Sequence, residues 1–110
     1  MPQEQPTREE TLQKRKEFVP KLMELNEKVL FDDIWERPGL SKRDRSLITV
    51  ATLVALYRVN ELPFHIARAR ENGISKEELA ELFTHLAISA GWPSAMTAVN
   101  LAMEVLAETE

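Results

Sequence analysis

Between Leu86 and Met103 this chain of 110 residues runs eighteen positions without a charge, straight across Gly91-Trp92-Pro93. The length approaches the ~20 apolar residues that cross a bilayer. Glycine and proline at its centre break the helix, however, and Ser89, Ser94, Thr97 and Asn100 interrupt the apolarity. In hydrocarbon the broken backbone would lack hydrogen-bond partners, so the stretch predicts two buried helices and no membrane partner. A second charge-free run, Ser46 to Tyr57, predicts another helix that is apolar almost all round and therefore buried. A chain this short buries only about two thirds of its unfolded surface, too little to surround both. Self-association through apolar helices is the expected consequence. Ala90, Gly91, Ala95, Ala98 and Ala102 suit close helix approach, within the chain or between subunits.

Local punctuation supports an all-α fold of about six helices, since no strand alternation is convincing. Thr7 with Glu10 fits a capping box and opens a charged helix over about 7–18, and Pro20 permits a short second helix to about Val29. The segment Trp35 to Leu40 (WERPGL) reads as a turn. Ser41 with Asp44 then caps the long third helix. A fourth helix begins around Asn60–Pro63 and stops at Gly73. Ser75 and Glu78 form the clearest capping box and start a fifth, and Pro93 restarts the chain in a last helix ending near Ala107. We take 1–28 as an N-terminal helical extension and 29–110 as the main domain.

Eighteen acidic against fourteen basic residues leave a net charge of -4 without a basic block, which excludes nucleic-acid partners. The absence of cysteine excludes disulfides, thiolate nucleophiles and Cys-ligated zinc. The start, MPQEQPTREE, lacks the basic and apolar parts of a secretory signal, so the expected location is the cytoplasm.

Acid–base chemistry must therefore use two histidines and the carboxylates. Glu61 and His65 stand four apart at the start of the fourth helix, on one face. A carboxylate there can orient an imidazole and hold its proton, making a donor near neutral pH, although the same spacing also occurs in plain surface ion pairs. Glu81 and His85 repeat the spacing, but Leu79, Leu82, Phe83 and Leu86 occupy that helix's core face and leave His85 at the border. Gathering both pairs into a metal site disagrees with the Glu-x-x-His spacing of di-metal bundles, so no metal is expected. Arg45, Thr49 and Thr52 make a polar stripe on the third helix. Either the threonines bond to carbonyls one turn back, or Arg45, with Arg43 or Arg58, grips a substrate carboxylate. Trp92 either walls a pocket or packs in the core.

Several segments in order, LSKRDRSLITVATLVAL, the Glu61-x-x-x-His65 pair with Ala69 four beyond it, the NGISKEE turn and AGWP, resemble the carboxymuconolactone decarboxylase family over about Val29 to Leu106. The resemblance implies an all-helical, alkylhydroperoxidase D-like fold assembling as trimers or hexamers. In the thiol peroxidases of that superfamily a C-x-x-C precedes the histidine. Those cysteine positions align with Arg58 and Glu61, and an upstream glutamate aligns with Ser46, so thiol peroxidase activity is excluded. The implied reaction is cofactor-independent loss of carbon dioxide from a small anionic lactone or oxo acid. Arg45 or Arg58 would anchor a carboxylate, Ser46 or a backbone N–H would donate to the lactone oxygen, and His65, oriented by Glu61, would supply the proton. His85 and Trp92 complete the expected substrate surroundings. The alternative is a non-catalytic oligomeric ligand-binding or assembly protein that retains the fold.

Overall fold

A computed structural model describes residues 6–109. The first five residues of the polar start, on which the reading of the N-terminus partly rests, lie outside them. Six α-helices are present, α1 (Arg8–Phe18), α2 (Pro20–Leu25), α3 (Lys42–Ala55), α4 (Leu62–Glu71), α5 (Lys76–Ser89) and α6 (Trp92–Thr109), with a π-helical segment, Asn26–Ile34, after α2. There is no strand among the described residues, and no helix among them is long and apolar enough to cross a membrane. The chain divides into two units between Pro38 and Gly39.

In the first unit, Thr7 and Glu10 form the expected capping box: the Glu10 N–H donates to Thr7 Oγ1 at 3.0 Å, and the Thr7 N–H donates to Glu10 Oε2 at 3.4 Å. Helix α1 buries no residue, which follows from its nearly all-polar composition. The second helix does not stop near Val29. It passes into the wider π-helical winding, where the Trp35 N–H reaches the Leu30 carbonyl five residues back at 2.9 Å. Phe31 and Trp35 stack with ring centroids 6.3 Å apart.

The second unit is built from four helical stripes that meet in one core. Each follows the helical period: Val50 and Val54 on α3, Leu62, Ile66 and Ala69 on α4, Leu79, Phe83 and Leu86 on α5, and Ala98, Ala102 and Val105 on α6. The main contacts pair α3 with α4, α5 with α6, and α4 with α6. An ion pair between Arg43 and Glu78 also ties α3 to α5. Ala95, Ala98 and Ala102 are buried, so this small-residue stripe serves a crossing inside the chain. Helix α3 is a correction to the sequence reading. Only its Ser46–Val50–Val54 line is buried, and Ile48 on the other side is half exposed. Three neighbouring helices cover one face of a rod and not its circumference.

The helix ends use complementary devices. Ser41 Oγ accepts from the Asp44 N–H at 3.0 Å, and Ser75 and Glu78 close a full capping box. Helix α4 ends at Gly73, whose φ of 98° lets the Gly73 N–H reach the Arg70 carbonyl and the Ile74 N–H reach the Ala69 carbonyl. A Cβ at Gly73 would meet nothing within 4 Å, so substitution there isolates the backbone term. Gly73→Ala should cost about 1–2 kcal/mol and lower the midpoint of thermal unfolding by several degrees. An unchanged midpoint by calorimetry would contradict this account of the turn.

Candidate active site

Helix α4 carries polar residues in a single line beside its buried stripe. Glu61 at its N-cap, His65, Arg68 and Asn72 at its C-cap fall at i, i+4, i+7 and i+11, which places them along one side of the helix. Because this line borders Leu62–Ile66–Ala69, His65 and Arg68 are half-buried, and His65 Nδ1 and Arg68 Nε are shielded from solvent. At the far end Asn72 Nδ2 donates to Ser46 Oγ at 2.9 Å, linking α4 to α3, with Ser46 only 1% exposed.

Phe64 organises the middle of the line. Its ring meets the His65 imidazole edge-on, with centroids 4.9 Å apart and planes at 87°. The Arg68 guanidinium carbon stands 5.3 Å from the centre of the same ring, within cation–π range. One aromatic side chain thus restrains both the imidazole and the guanidinium.

At the near end Arg58 Nη2 donates to Glu61 Oε1 at 3.0 Å. This bond is the main reason the Glu61 carboxyl is held below its ordinary value of 4.5. Arg58 emerges from a strained turn. Tyr57 has φ 57°, and the Tyr57 and Arg58 N–H groups close back on the Val54 and Leu53 carbonyls at 3.1 and 2.8 Å. Glycine is the usual residue in that left-handed position, and a tyrosine there costs about 1 kcal/mol. Its hydroxyl lies 3.5 Å from Thr97 Oγ1 on α6.

His65 is pushed below its ordinary value of 6.5, first by burial, then by the Arg68 charge, against a smaller upward pull from Glu61. This reverses the expectation that Glu61 holds the proton on the ring. The Glu61 carboxylate already serves Arg58, and its exposure to water weakens its field at the imidazole.

The other predicted residues lie elsewhere on the unit. Arg45 is half-buried on α3. The threonines of its stripe bond back one turn, Thr49 Oγ1 to the Arg45 carbonyl at 2.7 Å and Thr52 Oγ1 to the Ile48 carbonyl at 2.8 Å. His85 is exposed, with Nε2 3.1 Å from Ser89 Oγ. It lines a groove with Arg43, Leu47, Glu77, Glu78, Glu81 and Leu82. Trp92 lines a different groove of about 410 Å³ between α5 and α6, walled by Phe83, Ile88, Met96, Val99 and Met103 among others. Neither groove includes Glu61 or His65. Among the described residues no group of three or more His, Asp and Glu is placed to hold a metal ion.

Sequence reasoning passed over Phe64, Arg68, Asn72 and Tyr57. Arg68 was readable from its spacing three after His65. The Asn72–Ser46 bond spans 26 positions, and no local pattern announces it.

The direction of the His65 shift fixes a pH effect. Between the lowered folded value and 6.5, the unfolded chain binds more protons than the native one, so stability rises with pH across that window and is lost as pH falls. Resonances of the two imidazoles should show His65 titrating below 6.5, and denaturation of His65→Gln should lack this part of the acid-side loss. A His65 ring titrating above that value would contradict the burial argument.

Comparison with known proteins bears on the family of the chain. Residues 20–104 match the model of the carboxymuconolactone decarboxylase family. Over 73 residues, 66% of this chain and 54% of the relative, the sequence is 44% identical to a 4-carboxymuconolactone decarboxylase of Acinetobacter baylyi. It is also 32% identical, over 66% of this chain and 51% of the relative, to a nitrosuccinic acid decarboxylase of Metarhizium robertsii. The chain is therefore matched to about half the length of each of these relatives. With the family model covering most of its length, the chain belongs to the carboxymuconolactone decarboxylase family.

Proposed function

We propose that this chain catalyses cofactor-independent decarboxylation of a small anionic lactone or oxo acid, with His65 as the proton donor and Glu61 as its orienting partner. The observation that carries the reading is the half-buried imidazole placed one turn from a carboxylate, in a chain similar to two proteins named as decarboxylases. In a carboxymuconolactone the bond to the departing carboxylate breaks, its electron pair enters the conjugated lactone as a dienolate, and carbon dioxide leaves. One proton must then reach carbon. His65 delivers it and recovers another from solvent.

The lowered proton affinity of His65 fits this sequence of events. A neutral imidazole tolerates burial beside Arg68, and an arriving polyanion adds negative charge that raises the ring's affinity. The substrate thus brings its own proton donor into the protonated state. Arg45 and Arg58 are candidate carboxylate anchors. Burial of Ser46 favours a backbone N–H as donor to the developing lactone oxyanion. His85 and Trp92, which line separate grooves, enter the site only if an assembled form brings those surfaces to it.

The α5/α6 groove supports self-association as part of this reading. Ile88, Trp92 and Met103 are 80%, 62% and 63% exposed around it, a contiguous apolar surface of the kind that protein contacts cover. A second reading, a non-catalytic oligomeric ligand-binding protein, draws on that same surface and on Ser46 in place of the superfamily glutamate.

Incubation with carboxymuconolactone, followed by loss of its conjugated absorbance, distinguishes the two. Turnover by the wild type that falls by about a hundredfold or more in His65→Gln would support the enzyme, whereas ligand binding without turnover would support the alternative. Light scattering after gel filtration should give an oligomer that Met103→Glu dissociates. A wild-type monomer would remove the assembly from the proposal.

A further inference from the structure

We propose that Arg68 and His65 form an anion site on α4, in which Arg68 holds the carboxylate that the substrate retains after decarboxylation. The assignment rests on the decarboxylase reading for the identity of its ligand, but the site itself is built from geometry. Glu61, His65 and Arg68 share one line on α4, and residues three apart on a helix bring their side chains within a few ångströms. A ligand touching the imidazole is therefore within reach of the guanidinium.

Phe64 prepares the guanidinium for this task. With its central carbon 5.3 Å from the ring centre, the group loses less freedom on binding than a lysine or an arginine projecting into water. The ring also touches His65 edge-on, so donor and anchor are restrained by the same side chain.

The chemistry decides which carboxylate Arg68 takes. A cation bound to the departing carboxylate would stabilise the ground state more than the transition state, because that charge migrates into the dienolate as the bond breaks. A cation bound to the retained carboxylate keeps its full interaction throughout and orients the reacting carbon toward the imidazole. Arg68, adjacent to the donor, suits the second role.

Maleate, a compact dicarboxylate with no carbon dioxide to lose by this route, probes the site without turnover. Titrating it into the wild-type protein should shift the His65 ring resonances saturably and raise the pH at which they titrate. His85, in another groove, should stay unmoved. Arg68→Met should weaken maleate binding by about tenfold or more, and Arg68→Lys, which keeps the charge but not the paired donors, should weaken it less. Wild-type affinity in Arg68→Met would overturn the assignment, as would wild-type affinity in Arg68→Lys should the methionine variant fail to fold. Absence of a saturable His65 shift in the wild type would overturn it as well. Maleate binding that depends on Arg68 in a protein without carboxymuconolactone turnover would sink the decarboxylase reading and leave the anion site standing.

Discussion

Burial of one narrow line on α4 governs the arrangement of this molecule. Leu62, Ile66 and Ala69 are sealed against neighbouring helices, and a helix that commits one line to a core has no freedom to rotate. Everything adjacent is then placed by the helical period. Glu61, His65, Arg68 and Asn72 fall at the border because they sit one step around from the buried line. Border positions are where a side chain gains partial desolvation without losing access to a ligand, and partial desolvation is the main cause of the shift in His65. The chemistry proposed for this family member is thus a consequence of packing.

The electrostatics of that border are arranged as a series along the helix. Arg58 satisfies Glu61, Arg68 lowers the proton affinity of His65, and Asn72 reaches across to Ser46. The strained Tyr57 at the start of the series is the kind of backbone cost that persists where surrounding structure over-determines a conformation. Here two hydrogen bonds to the end of α3 and the contact with Thr97 supply that constraint.

Much of the fold was legible because its signals are local. The two capping boxes, the Ser41 cap and the Gly73 stop each act within a few residues, and each appears in the structure where its pattern lies. The winding beyond α2 was not legible, since nothing between Asn26 and Ile34 distinguishes a π-helical from an α-helical path. Helix α3 misled for another reason. Its composition is apolar nearly all round, but how much of a helix is buried depends on how many neighbours it has. For the site, the Glu61–His65 spacing was readable, while the sign of the His65 shift needed Arg68 and the depth of burial.

What the sequence alone determined about this protein is most of its helices and the ends marked by caps, prolines and glycines, because those residues act on their immediate surroundings. What only the tertiary structure decided is which side of each helix faces inward, and hence which polar residues share a border. Separations of 26 residues between Ser46 and Asn72, or 40 between Tyr57 and Thr97, are closed by packing of apolar stripes. That packing is a collective property of all four helices of the second unit, and no segment of the chain contains it by itself.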